Sequence, residues 1–101
     1  MFEAREIYSI VAPIKDRVLG LVRMGERRWD VVLDGKLIAL PADGATDSLR
    51  ALMAMQSRQG VLEKDVSIID LRDADRMILR LSEDALNELR LARERVHGER
   101  V

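Results

Sequence analysis

The sequence has no cysteine and only three aromatic residues, one each of Trp, Tyr and Phe, among its 101 residues. The lack of cysteine excludes a disulfide framework, a thiolate zinc site and a cysteine nucleophile. No apolar run approaches the roughly 20 residues that cross a bilayer, and no secretory signal pattern is visible. We therefore expect this piece of chain to span no membrane.

The chain also lacks an excess of either charge, since its 17 basic residues are balanced by 18 acidic ones. A general nucleic-acid binder shows a strong basic excess, so this balance argues against that class. The 48% apolar and 35% charged residues are typical of a folded chain rather than a disordered one. The length fits one domain of roughly 100 residues, and we treat residues 1–101 as that domain.

The first half of the chain predicts one helix followed by strands. Apolar residues at helical spacing predict a helix over residues 3–14. Pro13 lies inside that pattern, so we expect a break near Ala12 and a fresh turn at Pro13. A β-favouring apolar run then predicts a strand over residues 18–24.

Asp34-Gly35 marks the strongest local signal, a two-residue hairpin turn between β-rich runs. Such a turn is favoured because both positions are expected to need positive φ. Pairing outward from the turn places the larger side chains on one face. The predicted pairs are Leu33 with Lys36, Val31 with Ile38, and Trp29 with Leu40.

The second half predicts a helix, two short strands and a final helix. Thr46 is the expected N-cap of a helix that ends at Gln59, with Gly60 following it. Strands are predicted over residues 66–72 and 76–81, separated by a turn. Ser82 is the expected cap of the last helix, whose apolar line is thin: Leu86, Leu89 and Val96. The fold class is therefore α+β, a small sheet of about five strands with flanking helices in the order α-β-β-β-α-β-β-α.

Signals for catalysis or for a cofactor are weak. His97 is the only histidine, and in a charged helix it is expected to be a solvated surface imidazole. The chain offers no second histidine that could act as the base for a catalytic serine, and phosphate-binding glycine patterns are missing. The acidic group Asp70, Asp73 and Asp75 is interrupted by arginines, which favours turn chemistry and ion pairs over a calcium site. We predict a non-enzyme without metal or cofactor.

Two kinds of binding surface remain open on physical grounds. Arg23, Arg27 and Arg28 beside Trp29 could form an anion-binding module for nucleic acid or a membrane surface. Alternatively, the last strand could be an open sheet edge that accepts a partner's strand, or a second copy of this chain.

Three segments together resemble a known family. The run GERRWDVVLDG over residues 25–35, the pair Leu40-Pro41, and VSIIDLR over residues 66–72 resemble the periplasmic β-domain of the FtsQ/DivIB cell-division family. The resemblance covers roughly residues 15–81. The arginine-rich, lysine-poor chain with its charged tail is similar to alphaproteobacterial members.

The resemblance implies a non-catalytic scaffold of the divisome. It implies a single-pass inner-membrane protein, with this domain in the periplasm and its transmembrane helix and POTRA domain outside this chain. The implied partners are FtsB and, through it, FtsL, with an indirect effect on septal peptidoglycan synthesis by FtsW and FtsI. Nucleic acid is not an implied partner.

The resemblance also implies where the partner binds. FtsB would add a strand to the last strand of the sheet, with nearby basic residues meeting its acidic groups. Asp73 and Leu81 stand where well-studied members place aromatics, so the anchoring contacts are expected to differ. The implied partner-binding residues are Arg50, Arg72, Asp73, Arg76, Met77, Ile78, Leu79, Arg80 and Leu81.

Overall fold

A computed structural model describes residues 2–25, 28–73, 76–81 and 83–99, the side chains of residues 2, 3, 83, 85 and 97–99 excepted. The helices are α1 (Phe2–Ile10), α2 (Ala45–Gln59) and α3 (Glu83–Glu99), with 3₁₀ segments at Ala12–Arg17 and Val61–Glu63. The strands are β1 (Val18–Met24), β2 (Arg28–Leu33), β3 (Lys36–Ala39), β4 (Ile68–Asp70) and β5 (Ile78–Arg80). The predicted α+β class and element order are confirmed.

The five strands form one mixed sheet in the order β1-β2-β3-β4-β5. Neighbours are antiparallel except β3 and β4, which are parallel. A parallel pair cannot be joined by a tight turn, and here α2 lies in the connection between them. This crossover leaves β4 and β5 on the far side of β3, and it puts β5 at the margin of the sheet.

The predicted hairpin is confirmed in its register. Val31 lies opposite Ile38 and Leu33 opposite Lys36. The expected turn geometry is wrong, because positive φ occurs at Gly35 (85°) and at no described residue other than glycine. A turn with positive φ only at its second central position still selects glycine there.

Both faces of the sheet are covered, by different helices. The main core lies against α1 and α2 and includes Val31, Ile38, Leu49, Leu52 and Ile69. The second core lies between the opposite face and α3, and its members are Val22, Val32, Leu37, Ile68, Leu89, Ala92 and Val96. The predicted alternation along β2 and β3 therefore separates two cores rather than a core from solvent.

The helix boundaries partly follow the predictions. α1 ends at Ile10 and a 3₁₀ segment carries Pro13 near its start, so the predicted break is confirmed. Gly60 adopts the left-handed conformation (φ 60°) and closes α2, as predicted. Thr46 is not the N-cap of α2, since the helix begins at Ala45 after Gly44 and has no side-chain cap.

Two further expectations are corrected at the end of the chain. Leu86 is 50% exposed, so it does not belong to the buried line of α3, where Ala92 packs with Leu89 and Val96. The last two strands are shorter than predicted, Ile68–Asp70 and Ile78–Arg80. The expected cap Ser82 lies outside the described residues.

Candidate functional site

The β5 strand is an edge of the sheet. It pairs with β4 through Ile68–Arg80, Ile69–Leu79 and Asp70–Ile78, and within the described ranges no strand pairs with its outer side. Only Ile78–Arg80 has strand geometry, so Arg76, Met77 and Leu81 of the predicted strand flank it. An edge of this kind presents backbone groups that a partner strand can use.

The hydrogen bonds between β3 and β4 fix the direction of the backbone groups in β4. Leu37 donates its N–H to the Ser67 carbonyl (2.9 Å), and Leu71 donates to the Ala39 carbonyl (2.8 Å). The odd-numbered residues of β4 therefore bond towards β3. Because these directions alternate along a strand, the even-numbered residues bond towards β5.

This alternation identifies the free backbone position in β5. Ile68 and Asp70 lie opposite Arg80 and Ile78, so those two residues of β5 bond inward to β4. The Arg80 carbonyl does face inward, since it accepts a hydrogen bond from the N–H of Ser67 (2.9 Å), a residue just before β4 that departs from the alternation and bonds to both neighbours. The N–H and C=O of Leu79 consequently point away from the sheet, towards the open side.

Apolar side chains remain exposed along the same edge. Ile78 is 39% exposed, Leu79 36% and Leu81 57%, whereas Met77 is half-buried against the main core. Leu79 shares the face of its cross-strand neighbour Ile69, and Ile78 lies on the α3 face. The predicted alternation is confirmed over Ile78–Arg80, and both faces of this strand carry a partly exposed apolar group.

Arg72 does not project freely from the end of β4. Its Nη2 donates to Asp70 Oδ2 (2.6 Å), its Nε donates to Asp70 Oδ1 (2.9 Å), and its backbone N–H donates to the same Oδ1 (3.0 Å). Asp70 is buried, while the Arg72 side chain is 50% exposed. These hydrogen bonds from Arg72 lower the pKa of Asp70 against the opposing effect of burial.

The other predicted arginines also have carboxylate partners within the domain. Arg80 Nη1 donates to Glu88 Oε2 of α3 (3.1 Å), and Arg76 Nε donates to Asp73 Oδ2 (3.3 Å). The ion-pair interpretation of the acidic group is confirmed for Asp70 and Asp73, and Asp75 lies outside the described residues. Among the side chains that the structure describes, no cluster has the donors for a metal ion.

Arg50 is not brought to this edge. Arg50 donates to Asp47 one turn earlier in α2 (3.3 Å), rather than to a residue of β5. His97 belongs to α3, but its side chain is outside the described ones. The structure therefore groups the predicted residues from 72 to 81, while Arg50 stands on another element.

The basic residues beside Trp29 take different directions. The Arg28 side chain is held by hydrogen bonds within the domain: it donates to Asp30 Oδ1 (2.9 Å) and to the Leu40 carbonyl (3.1 Å). The Arg23 guanidinium lies 5.8 Å from the Trp29 ring centroid. Trp29 is half-buried against the main core, and Arg27 is outside the described residues.

A groove next to β5 was missed by the sequence analysis. It has a volume of about 310 Å³ and lies between α3 and the sheet face. Arg72 and Arg80 line it together with Asp30, Glu88 and Arg95. Burial raises the pKa of Asp30, against the lowering effect of Arg28. The spacing of residues 88, 91, 92 and 95 on one helix face was the only sequence signal for this groove.

The helices within the described ranges are α1, α2 and α3. None of these helices combines the length and apolar character needed to cross a bilayer.

Comparison with known proteins identifies the family. The family model "Cell division protein FtsQ/DivIB, C-terminal" matches residues 3–72. This match begins before the resembling segments and ends before β5 and α3. No solved structure matches the chain.

Curated relatives extend the similarity over most of the chain. "Cell division protein FtsQ" of Cereibacter sphaeroides is 47% identical over 92 residues, which are 90% of this chain and 30% of that protein. The proteins of the same name from Paracoccus denitrificans (45%) and a Jannaschia species (42%) cover 90% and 96% of this chain and 27% and 33% of their own lengths. The chain thus spans about a third of these relatives, which are alphaproteobacterial, as the resemblance predicted. It belongs to the FtsQ/DivIB family of cell-division proteins.

Proposed function

We propose that this domain is a non-catalytic scaffold of the divisome, which binds FtsB, itself paired with FtsL, by accepting an FtsB strand at the open side of β5. The domain would act at the periplasmic face of the inner membrane and affect septal synthesis by FtsW and FtsI through these partners. Family membership supports the role in cell division. The geometry of β5 supports the mode of binding.

The main support for this mode of binding is the outward-facing backbone of Leu79. Its N–H and C=O lie on the open side of a paired strand, where an incoming strand would satisfy both groups. Main-chain hydrogen bonds of this kind supply affinity with little dependence on the partner's side chains. Because only Leu79 faces outward, between two residues that face inward, a partner strand can form only a short ladder of backbone hydrogen bonds here. The neighbouring side chains must therefore contribute to the affinity as well.

The exposed apolar residues supply that contribution. Ile78 and Leu81 are 39% and 57% exposed, and a strand added beside β5 would cover part of both. Met77 and Leu79 would anchor the partner on the face of the main core. Since Asp73 and Leu81 replace the aromatics of other members, aliphatic contact is the expected anchor here.

The opposite edge of the sheet is less suited to this role. The apolar residues of β1 are half-buried or buried, and none of them is among the large exposed apolar side chains. The register of β1 is also irregular between Val18 and Gly20. Irregular edges accept a partner strand less readily than regular ones.

Arg72, Arg76 and Arg80 would guide the approach of an acidic partner rather than anchor it. Each already has a carboxylate partner in this domain, at 2.6 to 3.3 Å. Exchange of one carboxylate for another yields little net free energy, but charge near the edge still accelerates encounter. Asp73 would compete with the partner for Arg76. Arg50 on α2 stays a proposed contact, for a part of the partner that reaches beyond β5.

The test compares Leu79→Pro with Leu79→Ala for binding of the periplasmic part of FtsB. Proline removes the outward N–H, whereas alanine removes the side chain and keeps the N–H. We expect Leu79→Pro to weaken binding by more than about tenfold, beyond the effect of Leu79→Ala. Ile78→Pro is not a suitable test, because its N–H bonds inward to β4 and its loss damages the sheet itself.

The result also separates this proposal from its alternatives. Equal affinity of the two Leu79 variants, with circular dichroism showing an intact fold, contradicts strand addition. If Leu79→Pro instead abolishes concentration-dependent light scattering of the domain alone, the edge serves self-association. Steeply salt-dependent binding to DNA or to acidic vesicles would favour the anion-binding module at Arg23, Arg27 and Arg28.

A further inference from the structure

The groove between α3 and the sheet has the features of a second binding site. It is lined on the sheet side by residues of all five strands and by Arg72 just after β4, and on the other side by one face of α3. Residues 88, 91, 92 and 95 follow each other at helical spacing along that face. One wall is thus a single rigid helix, and the other is a sheet.

The charges in the groove do not cancel. Arg28, Arg72, Arg80 and Arg95 line it, and the first three are paired with Asp30, Asp70 and Glu88 in turn. Arg95 has a different environment, because its Nη2 donates to the Arg23 carbonyl and its Nη1 contacts the Met24 sulfur, both at 3.1 Å. A thioether is a weak acceptor. A carboxylate placed beside Arg95 would therefore be the stronger partner.

The floor of the groove is apolar. Leu37, Ile68 and Ala92 form it, and all three are buried. Leu91 stands at the wall and is 48% exposed, four residues before Arg95 on the same helix. An exposed leucine one turn from an arginine suits a ligand that has an apolar group next to a negative charge.

The groove also reaches the proposed partner edge. Arg80 is at once a β5 residue and a lining residue, and Arg72 lines the groove at the end of β4. A partner chain seated beside β5 would therefore lie next to the groove. The net positive charge of the lining selects an acidic segment of that chain.

We propose that the groove under α3 is a second subsite that binds an acidic segment of FtsB, with one apolar side chain on the floor and a carboxylate at Arg95. This proposal rests on the proposed function for the identity of the partner. It gives α3, which the family model does not reach, a direct part in partner binding.

The experiment measures the affinity of the periplasmic part of FtsB for Leu91→Glu and Arg95→Gln at low and moderate salt. Leu91 and Arg95 are exposed, so both variants are expected to fold, and circular dichroism checks this. We expect each variant to weaken binding by about fivefold or more, and Arg95→Gln to flatten the salt dependence. Arg95→Lys should retain most of the affinity because it keeps the charge.

Two matched controls on the same helix lie outside the groove. Leu86→Glu and Arg93→Gln change an exposed leucine and an exposed arginine that do not line the groove, and their affinities should remain within about twofold of the wild type. Losses in the groove variants equal to those in the controls overturn the proposal, since they report only the charge of α3.

The two proposals fail in different ways. Wild-type affinity of Leu91→Glu and Arg95→Gln, together with loss of binding in Leu79→Pro, overturns the groove and leaves the edge intact. The reverse pattern supports the groove and contradicts strand addition. If the groove variants change the self-association of the domain and not its affinity for FtsB, the groove belongs to a second copy and the proposal is overturned.

Discussion

Val96 of α3 packs directly against the backbone of Gly20 in β1. A Cβ added at Gly20 would lie 2.9 Å from Val96 Cγ1, closer than side-chain contacts allow. About two turns earlier in the helix, Glu88 forms an ion pair with Arg80 of β5. α3 therefore crosses the whole sheet, from one edge strand to the other, and its position over the groove depends on the close approach at Gly20.

Gly20→Ala is expected to destabilise the domain by displacing the end of α3. Crowding of this kind in a packed core costs about 1 to 3 kcal/mol. Urea denaturation followed by circular dichroism measures the free energy of unfolding. The double variant Gly20→Ala/Val96→Ala supplies the control, because removal of the Val96 methyl groups creates room for the new Cβ.

The two changes should interact rather than add, with the double variant more stable than the sum of the single losses predicts. Simple additivity would mean that the loss in Gly20→Ala arises from the backbone of β1 alone, and that α3 does not press on this position.

Most of the sheet could be predicted because its signals are local. The Asp34-Gly35 turn fixes the register of β2 and β3 within a few residues, and an alternating pattern then assigns each side chain to a face. The helix break at Pro13 and the glycine after α2 are likewise decided by single residues. These features need no knowledge of distant parts of the chain.

The placement of α3 and its groove could not be predicted in this way. The apolar line of α3 is thin, and its contact with Gly20 joins residues 76 positions apart in sequence (96 minus 20). The wrong assignment of Leu86 has the same cause, since only packing decides which leucines of α3 face the sheet. The edge position of β5 was foreseen, but the choice of Leu79 as its outward residue required the β3–β4 hydrogen bonds.

Gly35→Ala isolates the cost of the hairpin turn. Gly35 has a φ of 85°, and an added Cβ would meet no atom within 4 Å. The substitution therefore tests backbone strain alone, with an expected loss of about 1 to 2 kcal/mol in the free energy of unfolding. Thermal or urea unfolding would detect it. An unchanged stability would show that the turn relaxes to a negative φ without disturbing the register.

Asp70→Asn should make the domain less sensitive to acid. The pKa of Asp70 lies below its ordinary value of 3.8 in the folded state, because Arg72 hydrogen-bonds the ionised form. Its stabilising contribution is therefore complete above the unfolded value and is lost as the pH falls through and below it. The variant should lose about 1 kcal/mol or less at neutral pH, since Arg72 is half exposed. Urea unfolding from pH 7 to 3 should then show a shallower decline than the wild type.

The pKa of Asp30 shifts in the opposite direction from that of Asp70, so Asp30 serves as the comparison. Burial raises its pKa above 3.8, so the ionised carboxylate is a cost in the folded state above its folded pKa, and this cost is relieved as the pH falls. Asp30→Asn removes that relief. The free energy of unfolding of this variant should therefore fall more steeply in acid than that of the wild type. If the unfolding free energies of Asp70→Asn and Asp30→Asn depend on pH in the same way, the opposite pKa shifts of Asp70 and Asp30 are contradicted.

Arg72→Gln should slow the association of the partner with little change in its dissociation. Charge at the rim of an interface acts mainly on the approach of an oppositely charged partner, and salt screens this effect. Charge reversal with Arg72→Glu would also place a second carboxylate beside the buried Asp70, at the position where Nη2 now lies 2.6 Å from Oδ2. That variant is expected to lose stability as well as association rate, so Arg72→Gln is the cleaner test. Surface plasmon resonance at two salt concentrations separates the two rates. A changed dissociation rate with an unchanged association rate would show that Arg72 leaves Asp70 and anchors the bound partner directly.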